Sequence, residues 1–206
     1  MNIIQIKNAL INTKAESIDD GIKFSILVPL IEIDNELNFI YEVRSKSIRQ
    51  PGEISFPGGQ IEVGESPLEA AVRETWEEIG VDKEDIEIIS ELDYMSSKNG
   101  SFIYSFLGHI KNTEFSNIQF SKDEVSELFF VPLSFFMENE PEKHYINYYA
   151  ETGDGFPLHM INDGANYNWG SIRNPVYFYK YNNYIIWGLT AKITYSLIKK
   201  LKIDQD

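Results

Sequence analysis

The chain has 206 residues, 43% of them hydrophobic and 14% aromatic, which is enough to pack the core of one domain with a small elaboration. It contains no cysteine, which excludes disulfides, thiolate nucleophiles and cysteine-based zinc sites. The net charge of -14 opposes binding to bulk nucleic acid and to anionic membranes, so a phosphate-bearing ligand needs a local cation, either a basic cluster or a bound metal ion.

Met1 to Ser17 lacks a basic start followed by an apolar run, and no stretch approaches the roughly eighteen apolar residues of a membrane span. No membrane association is therefore expected, and a cytoplasmic location is. Asn2 to Ala15 reads as a helix within an N-terminal extension over residues 1–20, with Ile3, Ile4, Ala9, Leu10 and Ile11 on its apolar side. Asp19-Asp20-Gly21 is a turn signal. Lys23 to Ile33 and Leu37 to Val43 read as strands of a hairpin turning at Asp34-Asn35-Glu36. Arg44 to Gly52 is a polar, basic loop ending in Pro51-Gly52. Ile54 to Phe56 is a short strand stopped by Pro57-Gly58-Gly59.

A well-marked helix follows. Ser66 is its N-cap, Pro67 suits the first helical position, Glu69 completes a capping box and Gly80 supplies the stop. Leu68, Ala71, Val72, Thr75 and Ile79 repeat at helical spacing and form its apolar face. Ile86 to Tyr94 and Ser101 to Ile110 read as strands around a turn at Asn99-Gly100. Glu124 to Val131 enters the core as a strand ending at Pro132, and Ser134 to Met137 begins a short helix. Tyr145 to Tyr184 has weak periodicity, consistent with a few strands and long loops. Leu189 to Leu201 is an amphipathic helix with Leu189, Ile193, Leu197 and Ile198 inward, and Lys199, Lys200 and Lys202 near its negative end. Mixed strands with few helices place the chain in the α+β class, as a single domain over residues 1–206.

The chemistry concentrates in Arg73 to Val81. Glu74, Glu77 and Glu78 stand at i, i+3 and i+4, so their carboxylates fall on one side of the helix, and like charges at that spacing each cost a few tenths of a kcal/mol. Arg73 is the helix's only cation and reaches Glu77 at i+4. A bound divalent cation removes the repulsion, and hard oxygen ligands on a rigid element suit Mg²⁺ or Mn²⁺. Gly58 and Gly59 allow backbone to approach a ligand closely, and Glu65 adds an acid just before the cap. Two glycines, a loop, a capped helix and a row of carboxylates describe a cradle for a metal-bound diphosphate.

The run from Gly59 to Val81 resembles the Nudix box: G, five residues, E, seven residues, then R-E-U-x-E-E-x-G-U, with U a bulky apolar residue. Gly59, Glu65, Arg73, Glu74, Glu77, Glu78, Gly80 and Val81 fall in register, and Thr75 occupies the first U position. The resemblance implies an αβα sandwich with a mixed sheet and hydrolysis of a diphosphate by water activated by divalent cations. It further implies that Glu74, Glu77 and Glu78 hold metal with help from the Gly59 carbonyl, that Arg73 orients a carboxylate, and that Glu65 is structural. Nudix proteins often carry a further metal-binding or basic glutamate where a later strand enters the core. Glu124 is the candidate here, as general base and metal ligand, with Glu127 the runner-up.

The loop ahead of the box carries Arg44, Lys46 and Arg49 close together, and arginine forks match phosphate oxygens. Arg44-Ser45, Arg49, Gly52 and Phe56-Pro57-Gly58-Gly59 resemble the signature of coenzyme A pyrophosphatases within the Nudix superfamily, with two residues between Arg49 and Gly52 where the signature has three. EVSELFFVPL and Ile185 to Ile193 look like the same subfamily, so the likeness runs from about Phe24 to Lys200. It implies that Arg44, Ser45 and Arg49 bind substrate, and that coenzyme A or an acyl-coenzyme A is cut to 4′-phosphopantetheine, or its acyl form, and adenosine 3′,5′-bisphosphate. Two alternatives stand beside it: the same chemistry on ADP-ribose, a nucleotide sugar or a nucleoside triphosphate, and a Nudix domain that senses a nucleotide without turnover. Tyr145, Tyr148, Tyr149, Tyr167 and Trp169 suit stacking on an adenine, covering of a pantetheine arm, core packing or a homodimer interface. His109, His144 and His159 show no ligand spacing.

Overall fold

The computed structural model describes residues 1–13, 18, 21–97, 100–112 and 118–203. Ala15, Asp19-Asp20 and Asn99, which carry expectations made from the sequence, lie outside the described residues.

The expected hairpin pairs β1 (Lys23–Ile33) with β2 (Glu36–Arg44), Ile33 opposite Glu36. Asp34 and Asn35 both have positive φ, the geometry of a two-residue turn that matches strand twist. β3 (Ile54–Ser55) lies against β2, and β4 (Gly58–Gln60) pairs antiparallel with β1. The glycine segment therefore belongs to the sheet, whereas the sequence suggested only a loop. α2 (Pro67–Ile79) has the anticipated reciprocal capping box between Ser66 and Glu69, and its cap residue Gly80 sits at φ 70°.

β5 (Ile86–Glu91), β6 (Met95–Ser96) and β7 (Phe102–Ile110) follow, then β8 (Val125–Pro132) and the short α3 (Leu133–Glu138). The main sheet runs β3-β2-β1-β7-β5, with β4 on β1, β6 on β7 and β8 on β2. It is mixed: β1 and β7 run parallel, and its other pairings are antiparallel. The weakly periodic region holds β9 (Glu142–Tyr149), β10 (Ser171–Tyr181) and β11 (Tyr184–Trp187), a separate antiparallel sheet in the order β11-β10-β9.

Two apolar clusters lie on opposite faces of the main sheet. Leu27, Ile31 and Ile40 pack under Ala71 and Ile79 of α2. Val28, Phe39, Tyr41 and Phe129 pack against Phe136 of α3 and against Ile193, Leu197 and Ile198 of α4 (Gly188–Ile203). This is the expected αβα layering. Leu189 departs from its expected inward position and is 39% exposed, because α4 starts one residue earlier and its first turn borders a surface groove. α1 covers Ile3–Leu10, shorter than expected, and buries none of its residues.

Candidate active site

The site grows from the geometry of two strands and one helix. On β2 the side chains alternate: Tyr41 enters one cluster, Ile40 enters the cluster under α2, and Glu42 is the next residue on that α2 face. On α2, Glu78 follows the buried stripe of Ala71, Thr75 and Ile79 and is itself 4% exposed. Its Oε2 accepts the Gly58 N–H at 2.7 Å. The three box carboxylates therefore do not form one solvated face. Glu78 is buried, the Glu74 side chain is 14% exposed and the Glu77 side chain is 41% exposed, a gradient from core to solvent set by helical rotation.

Arg73 organises the outer half. Its Nε and Nη2 clasp both oxygens of Glu65 at 2.9 and 3.0 Å, and its Nη1 donates to Glu74 at 2.8 Å and Glu77 at 3.0 Å. Glu65 in turn accepts the Glu62 N–H, so it anchors the arginine and the loop, the structural task expected of it. Thr75 fits the first apolar box position because its hydroxyl donates to the Ala71 carbonyl in the preceding turn.

Glu124 lies just before β8, beside a bulge where the β2–β8 register slips between Val43 and Arg44. Bulges re-aim side chains, and this one brings Glu124 into the electrostatic neighbourhood of Glu42, Glu74 and Glu78. Ser45 was expected to touch substrate, but it is buried. Its hydroxyl donates to the Asp123 carbonyl and its N–H to the Glu124 carbonyl, so it positions Glu124. Glu127 accepts a hydrogen bond from Tyr184 and borders a different hollow.

The basic loop closes on itself. Arg44 Nε donates to the Arg49 carbonyl at 3.0 Å, and the Gly52 N–H reaches the Arg44 carbonyl. Gln50 and Gly52 both take positive φ, which turns the chain within the short spacing between Arg49 and Gly52. Arg44 and Arg49 line one groove of about 500 Å³ with Gly58, Gly59, Trp187 and Leu189. That groove shares Phe24, Gln50, Ile103, Trp187 and Leu189 with a neighbouring furrow whose far wall includes Ile146, Tyr148 and Ile172. Of the aromatics singled out in the sequence, Tyr148 lines this furrow. Tyr145 stacks under Arg173 at 3.7 Å, and Tyr167 packs on Trp169. All five are 40% or more exposed, so none serves the core.

The donors suit a hard divalent cation. A Cβ on Gly59 would overlap the Glu74 carboxylate, so only glycine leaves room for that group against the strand. Glu42 Oε2 is buried and has no hydrogen-bond partner among the described residues. Both observations fit a cradle that a cation completes. Among the described residues, however, no three acidic or histidine side chains already converge as ligands. Arg73 donates to Glu74 Oε1 and Glu77 Oε2, while the Gly58 N–H donates to Glu78 Oε2, so each of these bonds engages one oxygen of its carboxylate and fixes how that carboxylate is turned.

Sequence reading missed Glu42. Its one signal was a lone charge in the apolar strand LNFIYEV. Burial raises the pKa of Glu42 and of Glu78, and the charge of Glu42 raises Glu78 further. A carboxyl with a raised folded-state pKa binds its proton more tightly when folded, so its stabilising contribution is full in acid and is lost as pH rises toward the raised value. Glu65 and Asp93 behave oppositely: hydrogen bonds from Arg73 and from Lys200 lower their pKa values, and their contribution is lost as pH falls below the ordinary carboxylate range. Cation-free protein is therefore expected to melt at lower temperature as pH climbs from mildly acidic through neutral, and saturating divalent cation should flatten that slope. A melting temperature that rises over this range without cation would contradict the buried pair.

The chain matches the NUDIX domain family over residues 25–150. It is 31% identical over 173 residues to the peroxisomal coenzyme A diphosphatase NUDT7 of Mus musculus, covering 83% of this chain and 66% of that protein. It is 30% identical over 132 residues to the peroxisomal coenzyme A diphosphatase ndx-8 of Caenorhabditis elegans, covering 62% of this chain and 54% of that protein. The chain thus spans less than two thirds of either relative. The crystal structure of a MutT/nudix family protein from Enterococcus faecalis superposes with a TM-score of 0.50 at 15% identity, over 99% of this chain and 70% of that one, a likeness of fold. No helix among the described residues is long and apolar enough to cross a membrane. With the box, the αβα layering and the family match in agreement, the chain belongs to the Nudix family.

Proposed function

We propose that this chain, working as one Nudix domain in the cytoplasm, is a divalent-cation-dependent diphosphatase that cuts coenzyme A or an acyl-coenzyme A to 4′-phosphopantetheine, or its acyl form, and adenosine 3′,5′-bisphosphate. The observation that carries the reading is the groove: Arg44 and Arg49 line it together with Gly58 and Gly59, the glycines against which Glu78 and Glu74 lie, and it shares residues with a neighbouring, largely apolar furrow. A diphosphate with one long, weakly polar arm suits that succession. The names of the two coenzyme A diphosphatase relatives support the substrate class.

Glu74, Glu77, Glu78 and Glu124, with the Gly59 carbonyl, would hold Mg²⁺ or Mn²⁺, the cations that hard oxygen donors favour. When bound, the cation neutralises the diphosphate and lowers the pKa of a nearby water. Arg44 and Arg49 grip the phosphates with charge-assisted hydrogen bonds, and Arg73 keeps the outer carboxylates in place. Glu124, fixed through its backbone by Ser45, takes the proton of the attacking water.

The test is product analysis with Mg²⁺ or Mn²⁺ on coenzyme A, acetyl-coenzyme A, ADP-ribose and dATP. Adenosine 3′,5′-bisphosphate released from coenzyme A well ahead of the other products is the expected result. Preference for ADP-ribose or dATP would retain the diphosphatase chemistry and remove the substrate assignment. Binding without any product would favour a sensing role.

A further inference from the structure

We propose that Glu42, on β2 and outside the Nudix box, supplies an inner carboxylate oxygen to the divalent cation held by α2. The inference rests on the proposed cation site and adds a ligand from a different part of the chain.

Glu42 lies on the α2 face of β2, two residues beyond Ile40, which packs under Ala71 and Ile79. Across the strand pair it stands opposite Ser55, whose hydroxyl donates to Glu42 Oε1 at 2.7 Å. Three residues after Ser55, Gly58 donates its N–H to Glu78 Oε2 at 2.7 Å. The same short segment therefore tethers both buried carboxylates, and Glu74 closes over its next residue, Gly59.

Glu42 is 1% exposed, and its Oε2 is buried with no hydrogen-bond partner among the described residues. Leaving a buried carboxylate oxygen unpaired is costly, and costlier beside a second buried acid. Arg44 acts on Glu42 through space, but its Nε is directed to the Arg49 carbonyl. Ser55 fixes Oε1 and so fixes where Oε2 points. Glu42 and Glu78 repel through space, so a divalent cation reaching both would give Oε2 its partner and offset the two charges.

The experiment is Mn²⁺ titration followed by calorimetry and by electron paramagnetic resonance of the unbound ion, on wild type, Glu42→Gln and the charge control Glu32→Gln. Glu42→Gln keeps the shape and the acceptor for Ser55 while removing the charged oxygen. We expect Mn²⁺ affinity to weaken at least about 10-fold in Glu42→Gln, comparable to losing a supporting group of a metal site, and to stay unchanged in Glu32→Gln. Cation-free Glu42→Gln should melt higher than wild type, because a buried like charge is gone. Unchanged Mn²⁺ affinity in a folded Glu42→Gln would overturn the inference and leave the box site standing. Absence of Mn²⁺ binding in wild type would overturn both. Should Glu42→Gln fail to fold, Glu42→Asp retains the charge but withdraws it by one methylene, and affinity equal to wild type in that variant would equally overturn the inference.

Discussion

Glu77→Gln is expected to lower diphosphate turnover by at least about 10²–10³-fold, the scale of losing one electrostatic contact to the reacting group, while leaving the fold intact. Glu77 is the most exposed of the three box carboxylates, and its side chain is held by Arg73 at 3.0 Å. Nothing in the core rests on it. Removing the like charge beside Glu74 gains a few tenths of a kcal/mol, and losing the i,i+4 pair with Arg73 costs a similar amount, so cation-free stability should stay close to wild type. The cation-linked term should fall. A cation at about 100 times its dissociation constant stabilises by about 2.7 kcal/mol, which for a chain of this size is roughly 5–10 °C in melting temperature. Glu77→Gln should shrink that rise. Turnover and melting, each measured with and without Mg²⁺ or Mn²⁺, separate the contributions. A variant with wild-type rate and a wild-type cation shift would remove Glu77 from the site.

Much of this arrangement is legible in the residues before any fold is known. Ser66, Pro67, Glu69 and Gly80 mark both ends of α2 because caps are local chemistry, written within four residues of the terminus they satisfy. The β1–β2 hairpin is equally local, with two left-handed residues between two largely apolar strands. What escapes is long-range. The i, i+3, i+4 spacing places Glu74, Glu77 and Glu78 near one another. It does not reveal that Glu78 turns into the sheet, since that depends on β4 forming against β1 and presenting the Gly58 N–H. Ser45 is expected to bind substrate because Arg44-Ser45 matches the coenzyme A pyrophosphatase signature. Its burial against the Asp123–Glu124 backbone depends on a pairing about eighty residues apart in sequence, whose bulge no local pattern records. Glu42 stayed hidden in an apolar strand because only the packing of α2 tells which face of β2 it occupies.

The adjacent glycines at the head of the box should separate fold from function. At Gly58 an added Cβ would fall within 2.7 Å of Ile26 Cα and against the Ser25 carbonyl, both backbone atoms of the central strand β1. Backbone in the middle of a sheet cannot retreat without breaking its own ladder, so Gly58→Ala should cost about 1–3 kcal/mol or more of stability. At Gly59 the overlapping atoms are the carboxylate of Glu74, the far end of a flexible side chain. That group can swing away at small cost to the fold, but it then leaves both the Arg73 fork and the cation cradle. Gly59→Ala is therefore expected to melt within about 1 kcal/mol of wild type and to lose about 10²-fold in turnover, the scale on which a displacement of about 1 Å acts at a reacting centre. Gly58→Ala should show the reverse balance, with lost stability exceeding any loss of rate per folded molecule. Denaturant melts paired with turnover normalised to the folded fraction distinguish the two. Equal effects at both positions would mean that Glu74 does not need the space above Gly59, and with it would fall the argument that this glycine shapes the cradle.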